Sequence, residues 1–159
     1  MPANHDCRRC PLHETTSYVC VWGRGSKYAD VMLVGEAPGA DEERLGKPFV
    51  GQAGQILDGC LDKAGLNRAE VYISNAVKCR PPGNRDPTKE ELGACIRYLL
   101  EEIQTVKPKV IVCVGRWRQH PWGRERENTK KLEHHLANSK SKQHKHILAH
   151  GKLPAHQHP

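Results

Sequence analysis

Three short apolar segments, each ending at a glycine or an asparagine, most constrain how this 159-residue chain can fold. They are residues 30–35 (DVMLVG), 71–75 (VYISN) and 109–115 (KVIVCVG). Apolar runs of this length, bounded by turn residues, are typical of buried parallel strands. The segments between them carry apolar residues every three or four positions, which indicates helices with one buried face. The sequence therefore predicts the order β-α-β-α-β.

The predicted helices have recognisable ends. The first covers residues 52–64 and stops before Gly65, a residue that favours helix termination. The second begins at TKEE (88–91), which has the form of a capping box, and ends before Pro108. Strands joined through helices predict an α/β fold with three α/β/α layers around a short parallel sheet. Ligands of such sheets bind at the carboxyl ends of the strands, where residues 35–39 and 75–85 follow.

Charge divides the chain into two parts. Residues 1–116 carry 16 basic and 15 acidic side chains, whereas residues 117–159 carry 9 and 3, together with eight of the ten histidines. The second part has few apolar residues and no strand pattern. We therefore expect one folded domain over 1–116 and a basic, histidine-rich, poorly ordered tail over 117–159.

The apolar runs also bear on location. None approaches the ~18 residues that span a bilayer, so we expect no membrane partner. The N-terminus MPANHDCRRC lacks the charged-then-apolar pattern of an export signal, and we expect a cytoplasmic protein. Seven cysteines in that setting predict reduced thiols or bound metal, not disulfides.

Four of the cysteines form a candidate metal site. Cys7 and Cys10 are a C-x2-C pair, and Cys79 and Cys95 are a more widely spaced pair. Four thiolates suit either zinc or a 4Fe–4S cluster, and the spacing does not choose between the two. The other three thiols lie beside apolar residues or on an apolar stripe, which is typical of small buried side chains: Cys20, Cys60 and Cys113.

Two loops at the predicted strand ends carry candidate binding residues. The turn GEAPG (35–39) exposes backbone amides that can hold an anion or a carbonyl oxygen. Phe49, the single phenylalanine, lies in a Gly/Pro-rich loop, where it either stacks on a base or plugs the loop against the core. Asn75 ends a strand, and its amide either pairs with one edge of a base or serves as a turn residue.

Together these stretches resemble the family 4 uracil-DNA glycosylases, the iron–sulfur branch of the uracil-DNA glycosylase superfamily. The resemblance covers about residues 7–116. It rests on Cys7-x2-Cys10, ADVMLVGEAPGADEERLGKPFVGQAG (29–54), VYISNAVKCRPPGNRDPTKEEL (71–92) and Cys95. It implies a central parallel sheet flanked by helices and removal of uracil from DNA. It also implies a 4Fe–4S cluster held by Cys7, Cys10, Cys79 and Cys95, with zinc as the less favoured alternative.

The resemblance assigns roles to five residues of the predicted uracil site. Phe49 would stack on a uracil flipped out of the duplex. Asn75 would donate to uracil O4 and accept from N3–H, and the backbone of Gly35, Glu36 and Ala37 would hold the base. Glu36 would orient or activate the attacking water. The implied partner is uracil-containing DNA, and we expect a monomer.

The resemblance stops at Arg116. The family continues with a fourth strand and a motif His-Pro-(Ser/Ala), whose histidine faces uracil O2. Here His120-Pro121 comes too early and His158-Pro159 ends the sequence. We therefore expect the outer strand and one catalytic donor to be missing, through a frameshifted or divergent tail, and activity of this chain to be weak.

Two other function classes compete with the glycosylase. A non-catalytic iron–sulfur or zinc module that binds DNA would share the cysteines and the basic tail. A generic nucleotide-binding α/β protein has no support, since neither GxGxxG nor GxxxxGK followed by Ser or Thr occurs.

Overall fold

The predicted helices and strands are present, with ends within two residues of those expected. A computed structural model of the chain describes residues 7–16 and 20–115. The strands are β1 (Arg24–Gly25), β2 (Val31–Gly35), β3 (Tyr72–Asn75) and β4 (Val110–Cys113). The helices are α1 (Leu12–Thr15), α2 (Ala40–Leu45), α3 (Gln52–Lys63) and α4 (Lys89–Val106), with a 3-10 turn at Pro82–Asn84.

The four strands form one sheet in the order β1-β3-β2-β4. The three predicted strands are parallel, and Leu33 lies opposite both Ile73 and Val112. The predicted parallel sheet is confirmed for these three strands, and β1, which the sequence did not predict, pairs antiparallel with β3 and makes the whole sheet mixed. A strand of two residues carries no periodicity, so the sequence could not reveal it. The expected loss of an outer strand falls after residue 115, outside the described residues.

Alternation along the central strand separates two cores. Met32 and Val34 of β2 pack in a cluster with the apolar face of α4, while Leu33 packs with α3 on the opposite face. Leu57 and Leu61 are the buried α3 side chains of that second cluster. A sheet that buries both faces under helices is the three-layer α/β/α arrangement.

Helix α4 begins as its sequence predicts. The Thr88 hydroxyl accepts from the Glu91 amide at 3.2 Å, and the Glu91 carboxylate accepts from the Thr88 amide at 2.8 Å. The helix ends at Val106, and the next residue, Lys107, adopts the left-handed conformation with φ 54° just before Pro108. Within the described residues, no helix combines the length and apolarity that a membrane span needs.

Candidate active site and cysteine cavity

The ends of β2 and β3 bring two of the predicted site residues side by side. Gly35 is the register partner of Asn75. Beyond this pair the chains stay together, because the Ala76 and Val77 amides donate to the carbonyls of Gly35 and Glu36, each at 2.9 Å. The GEAPG turn and the segment after β3 therefore leave the sheet as one hydrogen-bonded unit.

Gly35 creates the space in which two functional side chains meet. A Cβ at this position would lie 2.4 Å from Asn75 Oδ1 and 2.6 Å from Phe49 Cζ. Both distances are far below van der Waals contact, so the Asn75 amide and the Phe49 ring pack directly against the Gly35 backbone. Any larger residue at position 35 would displace them.

The Phe49 loop is held in a strained conformation by its surroundings. Phe49 has φ 53°, a left-handed conformation that costs a non-glycine residue about 1–3 kcal/mol. The Arg68 guanidinium donates to the carbonyls of Pro48 and Phe49 at 3.0 and 2.8 Å, and it also pairs with Asp58. Gly54 lets the loop approach α3, since a Cβ there would lie 2.0 Å from the Phe49 carbonyl oxygen.

A cavity of about 470 Å³ opens at these strand ends, and Glu36, Ala37, Phe49 and Asn75 all line it. We call it the strand-end pocket. Asn75 is 2 % exposed, and its side-chain amide has no hydrogen-bond partner among residues 7–16 and 20–115. Phe49 packs against the α3-side core, as one of the two interpretations from the sequence expected, and it also lines the pocket; stacking on a base stays a prediction. An aromatic ring beside an unpaired amide suits a flat heterocycle with a donor and an acceptor on one edge.

Glu42 is a structural residue of this pocket that sequence reasoning missed. Its buried carboxylate accepts from the amides of Val50 and Gly51 at 2.9 and 2.8 Å, and from Gly39 at 3.2 Å. These bonds join the GEAPG turn to the Phe49 loop. Helix α2, which carries Glu42, has only six residues, too few to show a helical pattern in the sequence.

Lys78 is a second missed residue, and it points into the core and not to solvent. Its ammonium is fully buried and donates to the Ser74 hydroxyl, the Asn75 carbonyl and the Glu102 carboxylate, each at 2.7 Å. Glu102 also accepts from the Gly23 amide at 2.8 Å. Glu102 lies on the buried stripe of α4, next to Ile103, and this position was the sequence signal that could have indicated a buried carboxylate in need of a partner.

The four predicted metal-binding cysteines lie around a second cavity, and Cys20 joins them. We call it the cysteine cavity. Its sulfur-bearing residues are Cys7, Cys10, Cys20, Cys79 and Cys95. Tyr98 Oη lies 3.4 Å from Cys7 Sγ, and the Lys78 amide donates to Cys95 Sγ at 3.2 Å. Among the described residues, no three Cys, His, Asp or Glu side chains are grouped closely enough to share a single metal ion.

The other two cysteines lie outside this cavity. Cys60 is exposed, so its interpretation as a buried small side chain was wrong: it lies on α3 beside the buried stripe. Cys113 is partly buried against the α4-side core.

The cysteine cavity disfavours uncompensated thiolates. Burial raises the pKa of Cys95 to about 12 and also raises the pKa of Cys10. The hydrogen bond between Cys20 and Cys79 raises the pKa of Cys79 and lowers that of Cys20 to about 7. Several thiolates can therefore coexist here only beside a positive charge, which a bound metal supplies.

Comparison with known proteins identifies the family. The sequence model of the "Uracil DNA glycosylase superfamily" matches residues 22–148. The chain belongs to this superfamily. The matched region contains the strand-end pocket, Cys79 and Cys95. It also runs through residues 117–148, which the sequence analysis assigned to a tail and which lie outside the described residues.

Curated relatives agree with this assignment. The chain is 52% identical over 112 residues to the Type-4 uracil-DNA glycosylase of Archaeoglobus fulgidus, covering 70% of this chain and 55% of that protein. It is 48% identical over 110 residues to the Type-4 enzyme of Pyrobaculum aerophilum, covering 69% and 56%. The Type-4 enzyme of Thermotoga maritima is 48% identical over 109 residues, with the same coverage of 69% and 56%. The chain thus spans about half the length of these relatives.

Proposed function

We propose that this chain is a uracil-DNA glycosylase, which hydrolyses the bond between uracil N1 and the deoxyribose C1′ in DNA. The observation that carries the proposal is the meeting of the Phe49 ring and the Asn75 amide over Gly35 in the strand-end pocket. Membership of the superfamily supports the same reaction.

Base selection follows from the Asn75 amide. Uracil presents an acceptor at O4 beside a donor at N3, and the amide offers the complementary donor and acceptor. Cytosine presents the reverse pattern, which would leave buried polar groups unpaired at about 1–3 kcal/mol each. The amide has no competing partner among the described residues, so a base needs to displace no protein hydrogen bond.

Stacking offsets the cost of extracting the base. Flipping a nucleotide from the duplex costs a few kcal/mol, and stacking on an aromatic side chain returns about 1–3 kcal/mol per base. Because Arg68 and Gly54 hold the Phe49 loop in place, the ring needs no reorganisation when the base arrives. Preorganisation of this kind lowers the entropic cost of binding.

Glu36 is the group we assign to the attacking water. It lines the pocket together with Phe49 and Asn75, directly after the strand end. As the C1′–N1 bond breaks, its electrons leave with uracil, and positive charge develops on the sugar. The carboxylate stabilises that charge and orients the water whose oxygen bonds to C1′; it accepts the proton that this water loses, and a proton is then returned to the uracil anion.

We propose that Cys7, Cys10, Cys79 and Cys95 hold a 4Fe–4S cluster. Their shared cavity, an all-thiol donor set and the Lys78 amide at Cys95 Sγ support this assignment. When bound, the cluster supplies cross-links between the N-terminal segment, the loop after β3 and helix α4. We assign the binding of the uracil base and the cleavage of its bond to the sugar to the strand-end pocket, and not to the cluster.

The tail bears on rate and on DNA affinity. Residues 117–159 contain no His-Pro-(Ser/Ala) motif, and loss of one preorganised donor to the leaving oxygen typically costs about 10²–10³ in rate. We propose that this chain releases uracil slowly. The excess basic residues of the tail favour non-specific phosphate contacts that weaken as salt increases.

The test is release of free uracil from an oligonucleotide that carries one uracil, in single-stranded and in duplex form. We expect slow release by the purified chain, none from the matched cytosine oligonucleotide, and loss of release in Asn75→Ala. DNA binding without any uracil release would instead favour a non-catalytic DNA-binding module. Equal release of cytosine would contradict the role given to Asn75.

A further inference from the structure

The cysteine cavity contains one thiol more than a four-ligand centre needs. Cys20 is buried, lines the cavity with the four proposed ligands, and places its Sγ 3.8 Å from Cys79 Sγ. It belongs to neither the C-x2-C pair nor the widely spaced pair. The sequence alone therefore indicated only a small apolar side chain at this position.

Backbone hydrogen bonding keeps Cys20 beside Cys79. The Val21 amide donates to the Lys78 carbonyl at 2.6 Å, so the segment that carries Cys20 runs alongside the segment that carries Cys79. The neighbouring residues of both thiols are anchored as well, because Val21 and Lys78 are buried. The short distance between the sulfurs is therefore built into the chain path.

We propose that Cys20 is a reserve ligand of the cysteine cavity, able to bind iron in place of Cys79. The proposal rests on the 4Fe–4S assignment made above. When Cys20 replaces Cys79, the iron–sulfur bond of Cys79 breaks and the freed Cys79 thiolate takes up a proton, while the Cys20 thiol gives up a proton and its sulfur forms the new iron–thiolate bond. The iron oxidation states do not change, so the substitution needs no oxidant or reductant.

The exchange concerns Cys79 and not Cys95. Cys20 Sγ lies 3.8 Å from Cys79 Sγ, and the Cys20 thiol also interacts with the thiol of Cys7. Cys95 projects from α4, where its sulfur accepts the Lys78 amide. Loss of Cys95 should therefore not be compensated, and this difference makes the proposal specific.

The experiment measures iron and sulfide per chain, with the visible absorption spectrum, after anaerobic reconstitution with Fe²⁺ and sulfide. We compare the wild-type chain with Cys79→Ala, Cys20→Ala, Cys95→Ala and the Cys20→Ala/Cys79→Ala double variant. Cys60→Ala is the matched control, because Cys60 is exposed and lies outside the cavity. Far-UV circular dichroism checks that each variant is folded.

We expect about four irons per wild-type chain and the same in Cys20→Ala and Cys60→Ala. Cys79→Ala should retain more than half of this iron, whereas the double variant and Cys95→Ala should lose nearly all of it. Equal iron loss in Cys79→Ala and the double variant overturns the role of Cys20. A wild-type chain that binds no iron overturns the cluster itself, and one zinc per chain does the same.

A second measurement does not depend on the folding of Cys79→Ala. Iron release to a chelator is followed in the wild-type chain and in Cys20→Ala, both of which keep all four proposed ligands. A reserve ligand recaptures iron when Cys79 dissociates, so we expect release several-fold faster in Cys20→Ala. Identical release rates would contradict the proposal.

Discussion

The strand-end pocket and the cysteine cavity lie at the two ends of the segment 75–79, and they are assembled differently. The pocket is made by adjacent strand ends and loops that hydrogen-bond to each other, with Glu42 and Arg68 holding the loops. The cavity collects thiols from the N-terminal segment, the loop after β3 and helix α4. Burial raises the pKa values of Cys10 and Cys95 in this cavity, whereas the hydrogen bond with Cys79 lowers the pKa of Cys20.

The difference indicates which region depends on a bound group. The pocket is held together by hydrogen bonds within the protein, among them those of Glu42 and Arg68 with the loops. In the cavity, a bound metal would compensate the charge of the thiolates that we propose as ligands. Lys78 connects the two regions, because its ammonium bonds the Asn75 carbonyl while its amide bonds Cys95 Sγ. The predictions below separate damage to the pocket from damage to the cavity.

The largest effect on catalysis is expected from Gly35→Ala. The new Cβ would overlap Asn75 Oδ1 and Phe49 Cζ, so both the base-pairing amide and the stacking ring must move. Losing both contributions should lower uracil release by about 10²–10⁴-fold. Iron content should not change. Gly59→Ala is the matched control, since a Cβ at Gly59 meets nothing within 4 Å; activity of Gly35→Ala within twofold of wild type would contradict the pocket geometry.

Lys78→Met should damage both regions by a comparable amount. It leaves the fully buried Glu102 carboxylate without its cation, and stranding one partner of a buried ion pair costs about 3–5 kcal/mol. We expect the free energy of unfolding, measured in urea, to fall by that amount. Adding Glu102→Met should recover part of it, because no unpaired charge remains. Lys89→Met, at an exposed position, should leave the unfolding midpoint unchanged.

Asn75→Asp tests the hydrogen-bond pattern of the pocket alone. A carboxylate cannot donate to uracil O4. The transition state should therefore lose about 1–3 kcal/mol of stabilisation, and the rate of uracil release should fall accordingly. The protonated carboxyl group can donate. Activity relative to wild type should therefore rise as the pH falls. Because burial raises the pKa of a carboxyl group, this recovery should begin at a higher pH than it would for an exposed aspartate.

The measurement is the ratio of variant to wild-type rate from pH 8 to about pH 4, the range over which a carboxyl group titrates. Asn67→Asp is the control, because Asn67 is exposed and is not among the residues that line the pocket. A ratio that stays constant with pH would show that position 75 does not donate to the base.

The smallest effect is expected at the pocket wall, where Arg85 pairs with Glu91. Arg85 donates to both Glu91 oxygens, at 2.9 and 2.7 Å, and this lowers the pKa of Glu91. A carboxylate with a lowered folded-state pKa stabilises the fold above its unfolded value of about 4.3 and stops doing so as the pH falls further. Arg85→Ala should therefore lower the urea midpoint slightly at pH 7 and leave it unchanged near pH 2. An equal shift at both pH values would mean that charge pairing is not the cause.

Local patterns explain how much of the fold was accessible from the sequence. Residues such as Val31, Leu57 and Thr88 lie in segments where apolar periodicity or a capping box is decided by near neighbours, and their elements were predicted within two residues. The short elements β1, α1 and α2 were not, since two, four and six residues carry too little pattern. The central parallel strands were therefore predicted, and the antiparallel edge strand β1 was not.

The candidate site divides in the same way. Motif residues such as Phe49, Asn75 and Cys79 were found from the family resemblance, because that resemblance covers them in sequence order. Glu42 and Lys78 were missed, because charged residues are interpreted as exposed unless a partner is known. Their partners come from other loops, strands and helices, and a single sequence does not show those contacts.

The sequence by itself determined the strand and helix order, the residues at the strand ends and the four cysteines of the proposed cluster, because local spacing and family motifs encode them. Only the tertiary structure decided that Cys20 joins those cysteines, that Lys78 and Glu102 pair inside the core, and that Phe49 meets Asn75 over Gly35. The residues in contact are 14 to 59 positions apart in the sequence, from Gly35 and Phe49 at the smallest separation to Cys20 and Cys79 at the largest. Burial and distance in space create them, and neither is a property of the chain taken one segment at a time.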